Sequence, residues 1–174
     1  MERFICDAML GKLAKWLRVL GYDTTYRPDL DDAELVRLSW LEGRIILTRD
    51  TRLAARKVAR RNLVIAHDHV ERQLEQVVRQ LRLKVEQTAF TRCLVCNEEL
   101  FAVDKEAVRN LVPPFVFATH DSFARCPNCG RHYWKGTHWQ QMLERLRKVA
   151  SPDQDVADAS RNPQQPRPDS APDP

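Results

Sequence analysis

Arg3-Phe4-Ile5-Cys6-Asp7-Ala8-Met9-Leu10-Gly11-Lys12-Leu13-Ala14-Lys15-Trp16-Leu17-Arg18-Val19-Leu20-Gly21 is the stretch from which the architecture of this chain is read. Arg3 to Cys6 is a short apolar run of strand length. Leu10, Leu13, Ala14, Leu17 and Leu20 then recur at helical spacing, and Gly21 stands where a left-handed cap ends a helix. A strand followed closely by a helix is half of a βα unit, and the pattern repeats downstream. Thr24 to Tyr26 reads as a strand and Asp31 to Glu42 as a helix with Leu35, Leu38 and Leu41 on one side. Arg44 to Thr48 is a strand, Thr51 to Arg61 a helix, Leu63 to Ala66 a strand, and Val70 to Leu81 a helix. Repeated units of this kind predict an α/β fold, a mostly parallel sheet flanked by helices on both faces.

From about Phe90 the character changes. Cys93 and Cys96, then Cys126 and Cys129, form two Cys-x-x-Cys pairs separated by 29 residues. Two residues between thiolates lets both sulfurs of one turn reach the same tetrahedral Zn²⁺, and two such turns fill all four positions. The spacing predicts a structural zinc ribbon rather than a catalytic zinc; a redox dithiol pair is the alternative. His132 and His138 flank the ribbon but are not needed as ligands. Leu100 to Val103 and Arg131 to Trp134 read as ribbon strands and Asp104 to Leu111 as a helix broken at Val112-Pro113-Pro114. Thr137 to Arg147 reads as a closing helix. The organisation expected is an α/β domain over 1–89, a zinc-ribbon domain over 90–149, and a disordered, acidic, Pro-rich tail over 150–174.

The net charge is +4, and from Ser151 onward five Asp outnumber two Arg, so the remainder is more basic still. That balance leans towards an anionic partner such as nucleic acid. No run approaches the roughly 18 apolar residues a membrane helix requires. The opening residues are too short and too acidic a run for a signal peptide. With four cysteines assigned to metal, only Cys6 is left, in an apolar run where it serves as a small buried hydrophobe. Metal thiolates without a disulfide framework suit a reducing cytoplasm.

In open α/β sheets ligands bind beyond the carboxyl ends of the strands, and that is where acids stand here. Asp7 follows the first strand, Asp50 the third and Asp68 the fourth, while Asp31 and Asp32 open the second helix. Carboxylates that converge need a cation between them, and hard oxygen ligands suit Mg²⁺ or Mn²⁺ acting on a phosphodiester. Helix capping is the competing reading for Asp31 with Glu34 and for Asp68 with Glu71, which leaves Asp32 the better ligand candidate. Asp23, after Gly21-Tyr22, reads as a turn residue. Lys12, Lys15 and Arg18 lie on the polar side of the first helix. Arg49, Arg52, Arg56 and Arg60 crowd the third, the last three at four-residue spacing on one face. They form either a phosphate-binding rim or a solvated surface. His67, His69 and His120 are isolated.

Taken together, Asp7 to Arg18 with Gly21-Tyr22-Asp23, then Arg44-Ile45-Ile46-Leu47-Thr48-Arg49-Asp50, both cysteine pairs and Tyr133-Trp134-Lys135-Gly136-Thr137-His138-Trp139, make a pattern. It resembles the PIN-like ribonuclease domain family named after the C-terminal region of the Mut-seven exonuclease. The resemblance spans about residues 3 to 147. It implies a PIN-like nuclease core with a fused zinc ribbon, and metal-binding catalytic acids at Asp7, Asp50 and Asp32 or its neighbour Asp31. Broader PIN-like relatives carry Asp-Glu-Asn where this chain has Asp7-Ala8-Met9, and a further acid where it has Arg52.

The leading expectation is therefore a Mg²⁺- or Mn²⁺-dependent ribonuclease with Asp7, Asp32 and Asp50 as its acids. Thr48 or Arg49 would orient the phosphate, and Trp134 and Trp139 would serve as stacking surfaces or as core. The rival is a non-catalytic RNA-binding module acting on tRNA, rRNA or a ribonucleoprotein. A dinucleotide-binding fold is disfavoured, since no Gly-x-Gly-x-x-Gly follows a strand.

Overall fold

Residues 2–84 and 89–150 are described in a computed structural model, side chains at 138, 143 and 147–150 excepted. The tail expected over 150–174 therefore lies, from 151 on, outside the described residues, as do the side chains of His138 and Leu143. Four short strands, β1 (Arg3–Cys6), β2 (Asp23–Tyr26), β3 (Ile45–Thr48) and β4 (Asn62–Val64), pair in parallel in the order β2-β1-β3-β4. Between and after them run α1 (Gly11–Val19), α2 (Asp32–Glu42), α3 (Thr51–Ala54) and α4 (Val70–Gln80). This is the α/β architecture expected from the repeated βα pattern.

Alternation along the strands explains the two-sided burial. Phe4 and Cys6 on β1 and Ile45 and Leu47 on β3 face one side, where they meet Leu13 and Leu17 of α1 and Leu74, Val77 and Val78 of α4. Ile5 and Ile46 point the other way, onto Leu35 and Val36 of α2 and onto Leu53 and Ala59. With both faces covered, the central strands β1 and β3 are near-continuous hydrophobic runs rather than alternating ones. Cys6 is fully buried, as expected for a small hydrophobe, and burial pushes its thiol pKa far above the ordinary range.

A second, antiparallel sheet is built from β5 (Phe101–Val103), β6 (Phe123–Arg125) and β7 (His132–Trp134), in that order. The helix expected over Asp104 to Leu111 is only a 3-10 turn at Glu106–Val108. Pro113-Pro114 does not merely break it: Pro114 occupies the first turn of a new helix, α5 (Pro114–Thr119), where a missing N–H costs nothing. The closing helix α6 (Thr137–Ala150) packs on α4, and its Leu146 is buried in the main core.

Helix α3 is much shorter than the expected Thr51 to Arg61. Asn62, from the head of β4, sends its side-chain amide to the carbonyls of Ala54 (3.1 Å) and Ala59 (2.5 Å). It satisfies the last helical carbonyl and leaves the chain free to turn, so that Ala59 is buried beneath α2. Arg56 and Arg60 consequently follow α3 rather than extend it, and the single arginine face does not form.

The ribbon is fastened to the amino edge of the parallel sheet. Arg18, expected on the polar side of α1, is 5% exposed and donates to the carbonyls of Thr24 (2.9 Å), Leu94 (3.0 Å) and Val95 (3.0 Å). Asp23, expected in a turn, begins β2 and is a charged hub. It pairs with Arg44 at 2.6 Å, with Arg3 at 3.2 Å, and accepts the Asn97 amide at 2.6 Å. Asn97 in turn accepts the backbone N–H of Thr24 at 2.9 Å, and Phe90 donates its own to the Val19 carbonyl at 2.7 Å. Buried charges of this kind persist only when every polar atom is met.

Candidate active site and metal centre

The strand order makes one crevice special. From β1 the chain crosses to β2 on one side, while β3 and β4 lie on the other, so the connections diverge between β1 and β3. Loops leaving adjacent strands in opposite directions open a cleft at their carboxyl ends. Asp7 leaves β1 at that point and Asp50 leaves β3.

The two acids are held by one shared residue. Asp7 donates its backbone N–H to the Leu47 carbonyl (3.1 Å), continuing the β1–β3 ladder. Its Oδ1 accepts the Met9 N–H (2.9 Å) and caps a short 3-10 turn, Ala8–Leu10. Its Oδ2 accepts the Arg49 backbone N–H (2.9 Å) and a short hydrogen bond from the Thr48 hydroxyl. The same hydroxyl accepts the Asp50 N–H at 2.9 Å. Thr48 is fully buried, so its hydroxyl orients the two acidic segments and not a phosphate, and Arg49 serves Asp7 through its main chain. Asp50 caps α3 with Oδ1, accepting from Arg52 (2.7 Å) and Leu53 (3.2 Å). Its Oδ2 takes no hydrogen bond from the described residues.

The remaining acids of this edge are engaged elsewhere. Asp31 is the cap of α2, accepting the Glu34 N–H at 2.8 Å, which frees Asp32 as anticipated. Asp32, however, pairs with Arg56 at 2.9 Å and borders a largely apolar depression with Val36, Trp40 and Val58. Asp68 does not cap α4, whose cap position is His69; it forms a short ion pair with Arg49. Among the described residues only the cysteines bring three or more ligand atoms within 4.8 Å of one another, so Asp7, Asp32 and Asp50 are not gathered that tightly.

Beside Asp7 opens a cavity of about 720 Å³, bordered by Ala8, Met9, Lys12, Lys15, Tyr26 and His69. Lys12 and Lys15 are exposed along α1, one turn apart, and bring positive charge to one wall, while Asp68 and Glu71 line the cavity on the α4 side. Gly11 explains the shape of this wall. A Cβ there would stand 2.7 Å from the Tyr26 ring, whose hydroxyl donates to the Ala8 carbonyl at 3.1 Å. Arg52, Arg56 and Arg60 are exposed, and the Arg60 guanidinium stacks 5.1 Å above the Trp40 ring.

The sulfurs of Cys93, Cys96, Cys126 and Cys129 lie within 4.8 Å of one another. Four thiolates at about 2.3 Å from a tetrahedral zinc have neighbouring sulfurs roughly 3.8 Å apart; Cys93 and Cys129 stand at 3.7 Å. The donor set therefore fits zinc in number, type and spacing. Both turns are built alike. Cys93 N–H meets the Glu98 carbonyl (2.8 Å) and Cys126 N–H the Arg131 carbonyl (2.9 Å). The residue after each second cysteine, Asn97 or Gly130, is left-handed (φ 70° and 72°), a conformation open to Gly and tolerated by Asn.

Charge on the sulfurs also calls for a cation. The Arg131 backbone N–H holds Cys129 down at about 6, while Cys96 is pushed up to about 12 by its hydrogen bond to Cys129. One thiolate thus keeps its neighbour protonated, a conflict a divalent ion removes by deprotonating all four. The Tyr133 hydroxyl, 3.1 Å from Cys93 Sγ and 3.3 Å from the Leu94 N–H, braces the first turn. Tyr133 and Asn97 were missed in the sequence as supports of this centre. The only local signal was for Asn97, which occupies the position matched by Gly130 in the other turn.

No helix among the described residues is long and apolar enough to cross a membrane. Neither curated proteins nor solved structures returned a match. A family model described as the Mut7-C RNAse domain matches residues 2–146, which include the whole of both sheets and both cysteine turns. Such a domain takes RNA as its substrate class, and with most of its length matched the chain belongs to the Mut7-C RNAse domain family.

Proposed function

We propose that the protein is a ribonuclease that hydrolyses RNA phosphodiester bonds at the carboxyl edge of its parallel sheet, with Mg²⁺ or Mn²⁺ as cofactor. The observation that carries this reading is the Asp7–Thr48–Asp50 arrangement at the switch point between β1 and β3. Asp7 and Asp50 would hold the cation, joined by Asp32 when Arg56 transfers to a substrate phosphate. The ion would supply Lewis-acid stabilisation of the charge on the phosphoryl and leaving oxygens. The protein's part is to fix Asp7 through three hydrogen bonds and to present the open Oδ2 of Asp50. Lys12, Lys15, Arg49, Arg52, Arg56 and Arg60 would neutralise the backbone phosphates on either side. Residues 1–89 are assigned to this nuclease core and 90–149 to the ribbon, and the thiolate centre suits a cytoplasmic setting.

The test is RNA cleavage with and without Mn²⁺ for the wild type and for Asp7→Asn. Metal-dependent cleavage abolished by the substitution supports the enzyme. One observation favours the second reading, a non-catalytic RNA-binding module: Asp32 and Asp68 are both neutralised by arginines. Tight RNA binding without cleavage, indifferent to Asp7→Asn, would establish that module instead.

A further inference from the structure

We propose that a cavity of about 480 Å³ between the ribbon sheet and α6 binds a single nucleobase of the RNA, at a distance from the bond that is cut. The inference rests on the RNA-directed reading above and assigns the ribbon a part in it. The walls are flat and apolar: Phe90, Tyr133, Trp134, Trp139 and Met142 border the cavity. Its volume lies within the roughly 300–1,000 Å³ typical of small-ligand pockets.

The charges around it select the occupant. Arg92 and Lys135 line the cavity, and among the described residues no carboxylate does. Arg92 is engaged with Glu99 (2.9 Å) and with the carbonyls of Gly21 and Asn97, so Lys135, its ammonium 5.4 Å over the Trp139 ring, is the cation offered to a phosphate. An aromatic slot with a lysine at its wall suits a flat ring attached to a phosphate more than it suits an apolar peptide side chain. Among the described residues the buried Trp139 indole N–H has no hydrogen-bond partner, and a small shift of the ring would let it meet an acceptor on an entering base.

Position separates this pocket from the acids. The ribbon is fastened at the amino edge of the sheet through Asp23 and Thr24, and Phe90 of the cavity is bonded to Val19 at the end of α1. Helix α1 runs from the Asp7 edge to that point, and its nine residues span roughly 13 Å. The base held here therefore lies towards the end of α1 remote from the acids, and the pocket acts on affinity and on the choice of cleavage position.

The experiment measures binding of a fluorescein-labelled, single-stranded mixed-sequence RNA to the zinc-loaded full chain carrying Asp7→Asn, so that no RNA is cut. Ala124→Leu, which fills the cavity from β6, is expected to weaken binding about tenfold or more, the loss of one stacked base. Single abasic positions walked along the RNA are expected to weaken binding at one register, and to have no such effect once Ala124→Leu is present. Lys135→Ala and Trp139→Phe give the same readout if Ala124→Leu loses its zinc. RNA binding that ignores all three substitutions and shows a flat abasic scan overturns the pocket while leaving the ribonuclease reading intact. Absence of any RNA binding overturns both.

Discussion

Asn97, the residue that closes the first cysteine turn, donates its side-chain amide to Asp23 Oδ1 at 2.6 Å and so joins the metal centre to the head of β2. Seventy-four positions separate the two in the chain. Through this contact and Arg18, the order of the zinc turn and the order of the parallel sheet depend on each other.

Replacing Asp23 by Ala is expected to cost about 3 kcal/mol, the lower end for stripping a buried pair, because Arg44 keeps Glu42 as a partner. Burial would raise the Asp23 carboxyl, but hydrogen bonds from Arg44 and Asn97 outweigh it and hold the group below the usual carboxylate range. A depressed folded value means the stabilisation is present above the unfolded value, about 3.9, and is lost as pH falls through the folded one. Urea unfolding should thus show a large gap between wild type and Asp23→Asn at pH 7 that narrows below about pH 4. A gap independent of pH would remove the charge from this account.

Thr48→Val removes the hydroxyl shared by Asp7 and Asp50 at nearly constant volume. The Asp50 N–H and the Asp7 carboxylate each lose a buried partner, an expected cost of about 1–3 kcal/mol. Thr48→Ser keeps the hydroxyl and should recover most of that loss. If the valine and serine proteins unfold at the same denaturant concentration, the shared hydroxyl does not hold the edge together.

Zinc removal by a chelator is expected to unfold the ribbon and to lower the melting temperature of the sheet as well, because Arg18, Asn97 and Phe90 cross between them. Cys96→Ser should abolish stoichiometric zinc, read by elemental analysis. Cys6, buried with its thiol pKa raised, should stay unreactive towards a thiol reagent until the whole domain opens. Two independent melting transitions, the upper one unaffected by chelator, would show that the ribbon and the sheet are uncoupled.

Gly11→Ala places a methyl 2.7 Å from the Tyr26 ring, with no backbone strain since φ is −59°. The ring must swing away, breaking its bond to Ala8 and altering the cavity beside Asp7. The overpacking cost of about 1–3 kcal/mol is partly offset by alanine's helix preference, about 1 kcal/mol over glycine. RNA affinity should fall more than stability does. Restoration of affinity on adding Tyr26→Ala would localise the effect to the ring, and a Gly11→Ala protein with wild-type affinity would mean that this wall does not face RNA.

How much of the site was legible differs from residue to residue. Asp7 and Asp50 were legible because each directly follows a strand whose apolar pattern is unambiguous, and parallel pairing brings strand ends to one edge. Asp31 as cap was legible from its spacing to Glu34. The partners of Asp32 and Asp68 were not, because Arg56 and Arg49 reach them through chain turns that no local pattern encodes.

By itself the sequence determined the βα repeat, the two-faced sheet, the burial of Cys6 and the four-thiolate centre, because each rests on local spacing or on a local pattern repeated along the chain. Tertiary structure alone decided that α3 stops at Ala54 where Asn62 reaches its carbonyl. It also decided that Arg18 is buried among ribbon carbonyls and that Asp23 is a charged hub rather than a turn. Those outcomes depend on groups brought together only when distant segments close. A side chain's polarity states that it needs partners; the fold determines which ones arrive.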